Sequence, residues 1–257
     1  MFSGDLEFGG LGGGRFRFIL NKVSAGISDK ISSLLNDHEG TNRFNTFILC
    51  VSEHGDGSLG HAEEDHGRLS MWRAYRGSTN VALVLNPAPF QANTNAVAAY
   101  TVPVLYRSQL EFEAEFAKYL SLLETKVEDL RRYDLSEVSD MFVRYVLFTI
   151  LSLKHRGFEE EKEWRVIAAP AYFGARGLTK TVQTIGGLPQ IVYTMPLANA
   201  PKENLVGMTI SELIEKIIIG PTANPIPLRY ALAHELELAG VSNPYDRIVM
   251  SGIPLRR

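Results

Sequence analysis

The sequence predicts an α+β fold, with a mixed or antiparallel β-sheet core and a central helical hairpin. Short apolar, β-branched runs precede residue 107 and follow residue 163, whereas the stretch between them keeps helical periodicity. Strands first, helices between and strands after argue against a repeating βαβ sheet. In the middle stretch Ser108-x-x-Glu111 and Asp134-x-x-Glu137 each stand before a long apolar stripe, in the pattern that opens a helix.

Residues 1–14 include Gly4, Gly9, Gly10, Gly12, Gly13 and Gly14, whose ordering costs backbone entropy, and no element is assigned to them. Residues 1–43 are read as a glycine-rich start with a short helical segment, and 44–257 as one α+β domain. Phe44–Val51 is an apolar, aromatic and β-branched run and reads as a buried strand. Ser52–Gly67 is a polar loop. Arg68–Arg76 carries Leu69, Trp72 and Tyr75 at helical spacing, and Thr79–Leu85 is a second buried strand. Ala96–Tyr106 is extended, with Pro103 placing any ladder at an edge or bulge. The first long helix presents Phe112, Phe116, Leu120, Leu123, Val127 and Leu130, and the second, Leu135–His155, is apolar on most sides and is expected to be nearly surrounded. Trp164–Ala168, Gln190–Tyr193, Lys216–Ile219 and Asp246–Met250 read as strands. Pro225–Ala239 is an amphipathic helix stopped by Gly240.

The charge balance, 26 basic against 29 acidic residues in 257, lacks the basic footprint of proteins that coat nucleic acid. Cys50 is the only cysteine, which excludes an intrachain disulfide framework and a multi-cysteine metal site and points to a reducing cytoplasm. The longest strongly apolar stretch, Met141–Leu153, carries Arg144 and is shorter than the roughly 20 residues a membrane span needs. No secretory signal is expected from the acidic, glycine-rich start.

The densest polar cluster is Glu159-Glu160-Glu161-Lys162-Glu163 ahead of Trp164 and Arg165. If the extended backbone begins at Glu161, alternation puts Glu161, Glu163 and Arg165 on one face. An ionised carboxylate at a strand head can accept a ribose hydroxyl and stabilise an oxocarbenium-like centre as a leaving group departs. The other reading of the same residues is an acidic helix end with one Glu–Arg pair. Trp72 and Tyr75 on one helical face, with Arg73 and Arg76 adjoining, can line a ligand pocket or, for the rings, fill a core. His54, Asp56, His61, Glu63, Glu64, Asp65 and His66 crowd one segment, but their spacing fits no metal motif and no metal is expected. Cys50, inside an apolar run, reads as an inert buried thiol.

Several segments together resemble the bacterial family of domain of unknown function 2971. They are FILCVSE (47–53), LSMWRAYRG (69–77) followed by VALVL, KHRGFEEEKEWRV (154–166), and EKIIIGP (215–221) with IVMSGIPLR (248–256). The strand with which that family usually begins has no clear copy here; FSGDLEFGG (2–10) is its remnant, or the chain starts late. The order of pieces is also similar to that of ADP-ribosyltransferases of the DNA-targeting toxin type. That resemblance implies an NAD-consuming bacterial enzyme that modifies a macromolecule, in a toxin or phage-defence setting. It makes Glu163 the catalytic carboxylate and Glu161 its substrate-orienting partner. Trp72 and Tyr75 would border the nicotinamide or adenosine, with Arg73 or Arg165 at the diphosphate and NAD as co-substrate. The alternative is a non-catalytic sensor or interaction module of the same fold.

Overall fold

A computed structural model describes residues 11–24, 26–29, 33, 45–55, 61–75 and 80–254, without the side chains of residues 11–14, 61 and 62. The sequence readings that fall on residues 1–10, Asp56 and Arg76 lie outside the described residues. In chain order the strands are β1 (Phe47–Ser52), β2 (Val81–Leu85), β3 (Tyr100–Pro103), β4 (Leu105–Tyr106), β5 (Leu153–Lys154), β6 (Glu163–Ala168), β7 (Thr179–Ile185), β8 (Leu188–Thr194), β9 (Ile214–Ile219) and β10 (Ile248–Met250). The fold is mixed α and β with small sheets, and the chain divides into two compact units: residues 1–50 with 102–167, and residues 51–101 with 168–257.

In the first unit three helices share an aromatic seam. Leu11–Val23 buries Phe16, Ile19, Leu20 and Val23, and the helix begins within the glycine-rich residues 1–14, to which no element was assigned. Phe16 meets Phe116 of Gln109–Thr125 at 5.5 Å and Phe142 of Leu135–Ser152 at 6.3 Å, both edge-on. Tyr119 and Tyr145 stack at 4.4 Å. The Ser108 hydroxyl accepts from Glu111 N and the Glu111 carboxylate accepts from Ser108 N, which completes the capping box. Asp134 caps the second long helix by accepting from the Ser136 and Glu137 amides.

Both long helices end earlier than their apolar stripes suggest. The first stops at Thr125, Lys126 leaves helical geometry (φ −104°, ψ 1°), and Val127–Leu130 forms a separate turn. The second stops at Ser152, because Leu153 and Lys154 extend to pair in parallel with Leu105 and Tyr106 of β4. A three-stranded sheet has the order β1-β6-β3. Among the described residues β1 holds an edge of it beside β6, with Ile48 42% and Leu49 53% exposed and Cys50 exposed as well. Where a buried strand is expected at Phe44–Val51, Phe47–Ser52 forms an exposed edge.

In the second unit β9 is flanked by β10, in parallel, and β2, antiparallel. Ile217, Ile219 and Ile248 pack with Ala233 and Leu236 of the Pro225–Leu238 helix and with Val241. That helix ends in a Schellman turn: Gly240 takes φ +80°, its amide bonds Glu237 O, and Val241 N bonds Leu236 O. β7 and β8 form a hairpin in full register from Thr179↔Thr194 to Ile185↔Leu188, turning through Gly186 and Gly187 at φ 59° and 85°. The sequence reading took only its second strand. The loop expected at Ser52–Gly67 instead contains a short helix, His61–His66, ahead of Leu69–Ala74.

Trp72 is the buried residue of Leu69–Ala74, and its indole N–H donates to His66 O at 2.8 Å. A Cβ on Gly67 or on Gly220 would lie 2.8 Å from its ring carbons, so glycine at both positions lets backbone reach the ring. Gly220 has no positive φ, which makes its constraint purely steric. Gly220→Ala is expected to cost about 1–3 kcal/mol by overpacking. The cost should shrink in a Trp72→Phe background, and a double-mutant cycle by thermal unfolding that gives equal costs in both would refute the contact.

Candidate functional site

The polar cluster of the first unit is built at the head of β6. Arg156–Glu161 is one 3-10 segment, with His155 Nδ1 accepting from Gly157 N. Lys162 then turns left-handed (φ 45°, ψ 51°), and the strand begins at Glu163. Glu161 therefore lies on a helical turn and not on an extended face with Glu163, as alternation would have it. The two carboxylates are nevertheless brought together by Lys154, whose ammonium donates to Glu161 Oε2 at 2.6 Å and to Glu163 Oε2 at 2.5 Å.

Lys154 arrives there because β5 pairs with β4, which also sets Tyr106 opposite it. The Tyr106 hydroxyl oxygen accepts from Glu163 N at 2.7 Å, and Val104 N bonds Glu163 O at 2.9 Å, so the backbone of Glu163 is held on both sides. Arg165 Nε donates to Glu163 Oε1 at 2.8 Å, while its Nη1 donates to Leu151 O in the last turn of the Leu135–Ser152 helix. That carbonyl is one of the helix-end acceptors without an intrahelical partner. The Cys50 thiol donates a third side-chain hydrogen bond to the Glu163 carboxylate.

Glu163 is 5% exposed. Burial by itself would raise its pKa, but the bonds from Arg165, Cys50 and Lys154 outweigh it and bring the carboxyl down to about 2. Burial and the adjoining carboxylate push the Cys50 thiol up to about 11, so Cys50 is protonated near neutrality, although its residue is exposed rather than buried as expected. Burial is also the largest influence raising Tyr106. Lys154 is lowered by desolvation and raised more strongly by Glu161 and Glu163. The four side chains Glu161, Glu163, Lys154 and Arg165 balance to zero charge.

Trp72, Arg73 and Tyr75 belong to the second unit. Trp72 is packed as described above, Arg73 is exposed, and Tyr75 is 66% exposed at the end of the Leu69–Ala74 helix. In the histidine- and acid-rich segment, Arg68 donates to Glu63 Oε1 at 2.6 Å and 3.0 Å and to Glu53 O at 2.9 Å, a pairing that buries both charges. His66 Nδ1 donates to Ser251 O at 2.5 Å. Among the described residues no group of three or more His, Cys, Asp and Glu side chains is placed to hold a metal ion, and no helix is long and apolar enough to cross a membrane.

The sequence reading placed Lys154 in the resembling segment 154–166 without giving it a role, and it missed Tyr106 and the role of Cys50. The short β4–β5 pairing sets Lys154 opposite Tyr106, beside Glu163.

Residues 71–166 match the family described as Protein of unknown function (DUF2971). That stretch contains Trp72, Arg73, Tyr75, Lys154, Glu161, Glu163 and Arg165, whereas the resembling segments at 47–53, 215–221 and 248–256 lie outside it. No curated protein and no solved structure matches the chain.

Because the Glu163 carboxyl sits below its ordinary value of 4.5, the stability it contributes is present above pH 4.5 and is lost as pH falls toward 2. The expected size is roughly 3 kcal/mol. Urea unfolding across that range should show a steeper acid loss in the parent than in Glu163→Gln. Parallel curves would mean that Glu163 is not held as an anion.

Proposed function

We propose that this protein is an NAD-consuming enzyme of the ADP-ribosyltransferase type that modifies a macromolecule, with Glu163 as its anionic centre and Glu161 as the orienting carboxylate. The observation that supports it is a carboxylate fixed at a strand head and kept ionised by Arg165 and Lys154, beside a second carboxylate that shares the same lysine. A carboxylate offers about four acceptor positions. Among the described residues Arg165, Lys154 and Cys50 each donate to Glu163, and a ribose hydroxyl would take the fourth position. As the bond to nicotinamide breaks, positive charge grows on the ribose, and an anion already oriented and desolvated stabilises that charge without reorganising at the moment of reaction. The acceptor then attacks the ribose carbon from which nicotinamide has left. The partial resemblance in 154–166 adds to this reading.

The second reading, a non-catalytic sensor or interaction module, is favoured by one specific observation. The Glu163 side chain is almost wholly enclosed, and Arg165 spends its guanidinium on Glu163 and the Leu151 carbonyl, which is how a structural ion-paired corner is built.

Loss of stability in Glu163→Gln follows from either reading, since the change strands two cations. Ligand response separates them. The enzyme reading expects NAD to raise the thermal midpoint of the parent and nicotinamide to be released, with release abolished in Glu163→Gln at a temperature where that variant is folded. No midpoint shift and no nicotinamide, or equal release by the variant, would overturn it.

A further inference from the structure

Lys154 stands apart from an ordinary surface ion pair. Its side chain is 18% exposed, the side chains of Glu161 and Glu163 are 16% and 4% exposed, and its ammonium lies 5.1 Å from the centroid of the Phe158 ring. Two anions and an aromatic face form a cradle for a single ammonium group. The parts come from different local structures: Lys154 from β5, Phe158 and Glu161 from the 3-10 segment, and Glu163 from β6. Glu161 and Glu163 do not share an extended face, and the ammonium donates to both. Without it the hydrogen-bonded bridge between the two carboxylates is gone.

We infer that Lys154 is a positioning residue of the Glu163 site: seated between Glu161, Glu163 and the Phe158 ring, its ammonium fixes the orientation of Glu163. The role in turnover rests on the reading of Glu163 given above, whereas the cradle stands on geometry alone. Lys154 touches no reacting atom. It donates to Glu163 Oε2, and Arg165 takes Oε1, so removing the ammonium frees the carboxylate to rotate about the arginine contact.

The test uses the full chain with Lys154→Met, which keeps an apolar stem without charge, Lys154→Arg, which keeps the charge, and Lys154→Ala, which leaves a space. The Glu163 titration is read from carboxyl carbon resonances, assigned by their disappearance in Glu163→Gln. In Lys154→Met it should move up by about one unit or more. Lys154→Arg should stay closer to the parent. Lys154→Ala should lose thermal stability and regain it with added methylammonium chloride, but not with sodium chloride at equal ionic strength. An unchanged Glu163 titration in Lys154→Met overturns the inference even if Lys154→Ala does not fold, and so does methylammonium that acts no better than sodium.

These readouts need no NAD, so a parent that releases no nicotinamide fails the enzyme reading and leaves the cradle to be judged by titration. In a parent that does release it, Lys154→Met should slow turnover about 100-fold. Unchanged turnover in that variant would overturn the positioning role while leaving the enzyme reading intact.

Discussion

A carboxylate with almost no solvent exposure cannot remain charged unless cations are buried with it, and this requirement organises the first unit around Glu163. Arg165 is two residues along the same strand and meets Glu163 Oε1 while tying down the end of the Leu135–Ser152 helix. Lys154 lies just past the end of that helix, where the chain abandons helical geometry and pairs with β4. The early stop of an apolar helix, the two-residue strand after it and the left-handed turn at Lys162 are local departures from regular structure. Each of them serves to place a charge next to Glu163. Isolated surface pairs elsewhere, such as Arg131 with Glu128, lie on exposed side chains and carry little comparable weight.

The second unit is organised by packing rather than charge. β9 brings Ile217 and Ile219 to the helix that follows it, and that helix ends where Gly240 alone can take the left-handed turn without a steric penalty. Trp72 requires glycine at two places remote in sequence, Gly67 and Gly220, because its ring occupies the volume a Cβ would need. Buried charge occurs here too, in the Arg68–Glu63 pair, but it closes a short segment on itself over five residues. The cluster at Glu163 draws in Cys50 and Tyr106 from elements distant in sequence besides Lys154 from the nearby β5, and that convergence makes it the stronger candidate for a function.

Much of the helical part was legible because its signals are local. Ser108 with Glu111 and Asp134 with Glu137 cap the helices they precede, and Gly240 stops the last one. The same periodicity overran both long helices, since a stripe of apolar residues continues to look helical where tertiary pairing has already extended the chain. Thr179–Ile185 went unread although Gly186-Gly187 marks a two-residue turn, because its strand is polar and mostly exposed. Phe44–Val51 was read as buried from its apolar content, which cannot tell an edge strand from a central one.

For the candidate site, the sequence by itself determined that carboxylates would crowd the entry to a strand opening with Trp164 and Arg165, since these residues are neighbours in the chain. Only the tertiary structure decided that Glu163 is enclosed, that Lys154 joins it to Glu161, and that Cys50 and Tyr106 complete its hydrogen bonds. The physical reason is range. Caps, turns and strand heads depend on residues a few positions apart, whereas the solvation and charge state of a carboxylate depend on whatever the fold packs against it, from any distance along the chain.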